Sequence, residues 1–162
     1  MSDVFFRDLR IPAPDHHLSV GSASHAQQTA AIMVAFEPVL EAESPDCVVV
    51  FGDVNSTLAC SVVAKKLGFS VAHVEAGLRS GDRTMPEEIN RIVTDSISDV
   101  FFVTEESGLA HLSAEGKDEA SIHHVGHVMI DNLFYELNKL DAMEPDDIAT
   151  NEFKLQYPKF GV

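Results

Sequence analysis

Tryptophan is absent from this 162-residue chain, tyrosine occurs twice, and cysteine occurs only at Cys47 and Cys60. Two cysteines build neither a disulfide framework nor a metal quartet, so a reduced, cytoplasmic setting is expected. Basic side chains are scarce as well. Eleven Lys and Arg stand against 26 Asp and Glu, a formal charge of −15. A field of that sign repels phosphate backbones and argues against nucleic acid as a partner. No apolar run approaches the roughly 20 residues of a membrane helix. The opening Met1-Ser2-Asp3-Val4-Phe5-Phe6 lacks the basic and apolar blocks of a signal peptide, so no membrane partner is expected. Internal repeats and low-complexity tracts are missing too. What is present is enough for a core: 45% of the residues are hydrophobic, in a length that suits one domain of roughly 100–200 residues.

Short β-branched runs alternate with amphipathic stretches. Residues 46–51 (D-C-V-V-V-F) read as a buried parallel strand that ends at Gly52-Asp53. Asn55-Ser56-Thr57 offer N-cap side chains for a helix through Lys66, with Gly68 suited to its end. Residues 70–74 form a second strand closing on Glu75, and a polar loop follows to Thr84. Pro86 suits a first helical turn, after which Ile89, Ile92, Val93 and Ile97 recur at helical spacing. Strands at 100–103 and 122–125, and helices at 105–115 and 128–140, complete the pattern. An earlier helix spans 24–43 and should be kinked by Pro38. The alternation predicts βαβ units in a parallel, doubly wound α/β sheet. Residues 141–151 read as an acidic linker or a short capped helix, and residues 157–162 as the approach to another strand.

Ligands of open α/β sheets bind beyond the carboxyl ends of the strands. Asp53 and Glu75 follow two successive strands and should share one rim, as catalytic acids or as loop caps. Glu87 lies in the first turn of the helix opened by Pro86. It serves there as a base, as a hydroxyl acceptor, or only as an acid favoured by the helix dipole, and Arg91 one turn on could pair with it. Arg79 and Arg83 either meet phosphate or hold their loop by pairing with Asp82 or Glu88. His73, two residues before Glu75, should face the same side and orient it, or be a satisfied core histidine. Gly21-Ser22-Ala23-Ser24-His25 could cradle an anion, but capping by Ser24 is the plainer reading. His123, His124 and His127 do not suit one metal, since neighbours on a strand point to opposite faces, and no metal site is expected.

Several segments together resemble the UDP-N-acetylglucosamine 2-epimerases. They are Val49-Val50-Phe51-Gly52-Asp53-Val54-Asn55-Ser56-Thr57, His73-Val74-Glu75-Ala76-Gly77-Leu78-Arg79-Ser80, and Met85-Pro86-Glu87-Glu88-Ile89-Asn90-Arg91 with Thr94-Asp95. Phe102-Val103-Thr104-Glu105 and Gly126-His127-Val128-Met129-Ile130-Asp131 continue the likeness over essentially the whole chain. The resemblance implies two Rossmann-like domains of the glycosyltransferase-B type. Residues 1–140 would be most of the first domain, and residues 141–162 a linker and the start of a second. It also implies the interconversion of UDP-N-acetylglucosamine and UDP-N-acetylmannosamine, by elimination of UDP to a glycal and re-addition, in a cytoplasmic homodimer without a cofactor. Such chemistry serves cell-envelope polysaccharide biosynthesis. Asp53, Glu75 and Glu87 match the family's catalytic acids, and Arg79, Arg83, Asn55 and Arg91 are assigned to the substrate.

The family's opening strand and its Gly-Thr-Arg-Pro-Glu segment are not found, so an exposed apolar sheet edge and self-association are expected, and the isolated chain is expected to be inactive. The likeness departs at Ala23, Gly81, Pro38 and His127, none of which is an acid. Two other functions stay open: a hydrolysing epimerase that releases N-acetylmannosamine, and a non-catalytic Rossmann-like binding module.

Overall fold

The computed structural model describes residues 11–143 and residue 156. The chain divides into two compact units, one reaching Val125 and the other starting at Gly126. In the first unit, α1 (His25–Glu43) begins at Ser24, which accepts a hydrogen bond from the Gln27 N–H. This is the capping expected of a serine at that place. The helix runs through Pro38 without ending. Next come β1 (Cys47–Phe51), α2 (Asn55–Lys66), β2 (Ser70–Val74) and α3 (Pro86–Ile97). They are followed by β3 (Val100–Val103), α4 (Glu106–Ala114), a 3-10 turn (Glu119–Ser121) and β4 (Ile122–His124).

One expected cap does not form. Helix α2 starts at Asn55, which leaves the apolar Val54 at the cap position with no side-chain cap, and the Thr57 hydroxyl donates to the carbonyl of Phe51. That bond folds the end of β1 directly onto the first turn of α2.

The four strands pair in parallel in the order β1-β2-β3-β4. This is the α/β, Rossmann-like arrangement that the alternating pattern predicts. Leu40, Val50, Val63, Ala64 and Val71 form one apolar cluster, and Ala76, Phe101, Val103 and Leu112 a second. The first packs α1 and α2 on β1 and β2, and the second packs α4 on β3. Among the described strands, β1 stands at the end of the order. Its Val50 is 6% exposed, while Val49 and Phe51 are 50% and 64% exposed. The expected apolar edge therefore lies here.

The second unit holds α5 (Val128–Asp141). The boundary expected at 140–141 falls at the end of this helix. The readings made for residues 1–10, 144–155 and 157–162 lie outside the described residues. No helix among the described residues is long and apolar enough to cross a membrane.

Candidate active site

Phe51 is the register partner of Val74, so the chain leaves β1 and β2 at the same rim. Both strand ends then turn through the left-handed region, Gly52 at φ +65° and Glu75 at φ +68°. Glycine adopts that conformation freely, whereas a residue with a side chain is held there at a cost of about 1–3 kcal/mol. The Phe102 carbonyl offsets part of it by accepting from the N–H groups of both Glu75 and Ala76, at 3.1 and 3.2 Å. A Cβ on Gly52 would stand 3.5 Å from Glu75 Oε2. The bare α-carbon of one strand end thus faces the carboxylate of the other.

Helix α3 supplies the support. Arg91 Nη2 lies 2.9 Å from Asp53 Oδ2, so this arginine pairs with the strand-end acid rather than with Glu87 one turn back. Its Nε is buried without a hydrogen-bond partner among the described residues. Asn90 Nδ2 donates to the Asp53 carbonyl at 2.8 Å and to Asn55 Oδ1 at 3.3 Å. Asn55 Nδ2 donates to Gln28 Oε1 at 2.8 Å. The N-terminal ends of α1, α2 and α3 therefore meet through amides beside Asp53. A cavity of about 470 Å³ opens there, lined by His25, Ala30, Asn55, Leu58, Ile89 and Asn90. No hydrogen bond among the described residues occupies the carboxylate of Glu75, which is half-buried, or of Glu87, which is exposed.

The two loop arginines behave differently. The Arg79 side chain is 9% exposed, with Nη1 2.7 Å from Asp95 Oδ2 and Nη2 2.8 Å from Glu115 Oε2. Its Nε donates to Glu115 and its Nη1 also to the Leu78 carbonyl. Its partners are thus Asp95 and Glu115, rather than the Asp82 or Glu88 that proximity in sequence suggests. Arg83 is exposed and lines a second cavity of about 610 Å³ with Glu88, Ser96 and Lys117. Asp53, Asn55 and Arg91 are brought together, while Arg79 and Arg83 border this other hollow. Glu88 is buried and caps the loop, accepting from the N–H and hydroxyl of Ser80 and the N–H of Gly81. Burial pushes its carboxyl up, but those hydrogen bonds and the charge of Arg79 outweigh it and hold the group below its usual range.

Three comparisons show what the chain is similar to. The family model described as UDP-N-acetylglucosamine 2-epimerase matches residues 1–157. The UDP-N-acetylglucosamine 2-epimerase of Methanocaldococcus jannaschii is 48% identical over 144 residues, 89% of this chain and 39% of that protein. A crystal structure of the M. jannaschii enzyme with UDP-GlcNAc and UDP aligns at a TM-score of 0.85 and 45% identity, covering 89% of this chain and 40% of that one.

The chain belongs to the UDP-N-acetylglucosamine 2-epimerase family.

It spans about two-fifths of the length of these relatives. A further relative is the UDP-2,3-diacetamido-2,3-dideoxy-D-glucuronate 2-epimerase of Pseudomonas aeruginosa. It is 44% identical over 154 residues, 94% of this chain and 43% of that protein.

Within this epimerase-family fold, Asn90 and Asp95 have roles that spacing does not assign, and Glu88, expected only as a partner for a loop arginine, caps the loop backbone. The buried residues of α3 are Glu88, Asn90, Thr94 and Asp95, while Ile89 is 47% exposed. The helix turns a polar face inward because that face serves the loops. The signal was available: Glu88, Arg91 and Asp95 recur at the same helical spacing as the isoleucines. Of the two readings of His73, the satisfied core histidine is the one the structure shows. Its ring bonds the Gly52 carbonyl and Asp95, and the left-handed turn at Glu75 breaks the alternation that would have aimed it at that carboxylate.

Proposed function

We propose that this chain supplies the carboxylate wall of a site that inverts carbon 2 of UDP-N-acetylglucosamine, giving UDP-N-acetylmannosamine. The observation that carries the reading is the shared rim. Asp53 and Glu75 follow adjacent parallel strands in register, and the bare Gly52 α-carbon faces the Glu75 carboxylate. Inversion at carbon 2 needs a proton taken from one face and returned on the other, so acids must flank the ring. A carboxylate takes the carbon-2 proton, and the C2–H electron pair becomes a C1–C2 double bond. The bond from C1 to the diphosphate oxygen breaks, with its pair leaving on UDP. Re-addition of UDP, with proton return on the opposite face, completes the change.

Glu75 and Glu87 offer unoccupied acceptor oxygens to the sugar, and Arg91 holds the direction of Asp53. Asn55 lines the cavity of about 470 Å³ beside Asp53, the space we assign to the sugar, and Arg91 reaches the substrate through Asp53. Arg83 is the exposed loop cation that suits phosphate. Arg79, with its donors already engaged, acts on the substrate through the loop it anchors. Departure of a diphosphate needs fixed donors and positive charge, which this wall of an acidic chain supplies sparsely. The 162-residue chain alone should therefore show no detectable turnover.

The test is a hybrid in which residues 1–143 replace the matching segment of the M. jannaschii enzyme. In heavy water it should incorporate deuterium at carbon 2 of UDP-N-acetylglucosamine. A folded hybrid that leaves carbon 2 protonated would refute the proposal. Exchange only into UDP-2,3-diacetamido-2,3-dideoxy-D-glucuronate would keep the chemistry and change the substrate.

A further inference from the structure

Behind the rim lies a chain of four charged or chargeable side chains that the proposed proton transfers do not use: His73, Asp95, Arg79 and Glu115. The side chains of His73 and Asp95 are both 0% exposed. His73 Nε2 lies 2.7 Å from the Gly52 carbonyl oxygen, and Nδ1 lies 2.6 Å from Asp95 Oδ1. A carbonyl oxygen only accepts, so Nε2 carries a proton. Asp95 Oδ2 already accepts from the Gly77 N–H at 3.0 Å and from Arg79 Nη1 at 2.7 Å. A carboxyl group receiving those donors is ionised, and an ionised carboxylate also only accepts. Nδ1 must then donate as well.

We infer that His73 is a buried imidazolium, and that with Asp95 it forms a positioning pair that registers the two strand ends bearing Asp53 and Glu75. Gly52 immediately precedes Asp53, and Gly77 lies two residues beyond Glu75. One carboxylate therefore grips the Glu75 loop directly, through the Gly77 N–H and Arg79. It grips the Asp53 turn through the imidazolium. Every charge in the row has an opposite neighbour: His73 with Asp95, Asp95 with Arg79, and Arg79 with Glu115. This matching is what allows two of them to be fully buried. That the registration serves catalysis rests on the epimerase reading, while the protonation of the ring does not.

The experiment uses the full 162-residue chain labelled with 15N. Long-range 1H–15N correlations at pH 7 report each imidazole nitrogen as proton-bearing or bare. The signal lost in His73→Gln identifies His73 among the eight histidines. Two proton-bearing nitrogens are expected, and one bare nitrogen would overturn the assignment. In Asp95→Asn, the new amide donates to Nδ1, so the ring should become neutral with its proton on Nε2. The backbone amide signals of residues 52–53 and 75–77 should shift together. A ring unchanged in Asp95→Asn, or shifts confined to one loop, would overturn the registration.

In the hybrid enzyme, Asp95→Asn should lower kcat about 10²-fold, the scale of a misplacement near 1 Å, with KM little changed. An unchanged kcat alongside a neutral ring would remove the catalytic role alone. An unsubstituted hybrid without activity would refute the epimerase reading and leave the ring assignment to the spectra.

Discussion

Gly77→Ala probes how the Glu75 loop is held. Gly77 sits at φ +78°, and a Cβ there would overlap the Gly108 carbonyl oxygen and stand 2.9 Å from the Gly108 carbonyl carbon. Neither side can retreat easily. The Gly77 N–H is bound to Asp95, its carbonyl accepts from His111 Nδ1 at 2.8 Å, and Gly108 in turn abuts Val103. The left-handed conformation costs an alanine about 1–2 kcal/mol. Forcing a methyl against fixed backbone adds about 1–3 kcal/mol. The sum, about 2–5 kcal/mol, is a large part of a domain's usual stability of about 5–15 kcal/mol. With a urea slope of about 2 kcal/mol/M, the middle of the usual range, the midpoint should fall by about 1–2.5 M. Gly81→Ala is the control, since Gly81 has φ +76° and a methyl group there would meet nothing within 4 Å. It should show only the conformational cost of about 1–2 kcal/mol. Urea titrations followed by far-UV circular dichroism measure both. If Gly77→Ala is no worse than Gly81→Ala, the close approach of the loop to α4 does not constrain it.

Three other outcomes follow from single contacts. Burial raises the Asp95 carboxyl, but the hydrogen bond and charge of His73, with the bonds from Arg79 and Gly77, outweigh it and hold the group below the carboxylate range. A depressed group contributes stability above its unfolded value, near 3.9, and loses it as pH falls through the folded value. The stability gap between the native chain and Asp95→Asn should therefore be full near pH 6 and shrink below about pH 4; a gap constant down to pH 2 would contradict this. Burial pushes the Cys60 thiol up to about 11, while Cys47 is exposed, so iodoacetamide at pH 8 should label Cys47 first, and equal labelling in peptide maps would refute the burial. The edge strand exposes Val49 and Phe51, so light scattering should show self-association that Val49→Lys reduces; a monodisperse chain at high concentration would count against it.

The strands were legible because buried parallel strands read as continuous apolar runs, and residues 46–51 and 70–74 need little else. The helices were legible from caps and spacing: Ser24 and Pro86 mark two starts correctly. The rim followed from parallel pairing, which puts Asp53 and Glu75 at one end whatever the details. The support was not legible. The isoleucines of α3 located the helix, but its inward face is polar, because buried loops need donors and acceptors that apolar side chains lack. The partners of Arg79 lie 16 and 36 residues away, at Asp95 and Glu115. Nearest-neighbour charge pairing cannot find such partners, since the sheet and α4 bring them close only after folding.

In the proposed function, chemistry at carbon 2 runs through the acids at the ends of β1 and β2. The most direct measurement is deuterium incorporation at carbon 2 of UDP-N-acetylglucosamine by the hybrid enzyme carrying Asp53→Asn or Glu75→Gln, with circular dichroism matched to the parent. Exchange should slow by about 10²–10⁴-fold in each variant, the usual contribution of a positioned acid or base. Exchange at the parent rate in both folded variants would contradict it and move the proton transfer away from these strand ends.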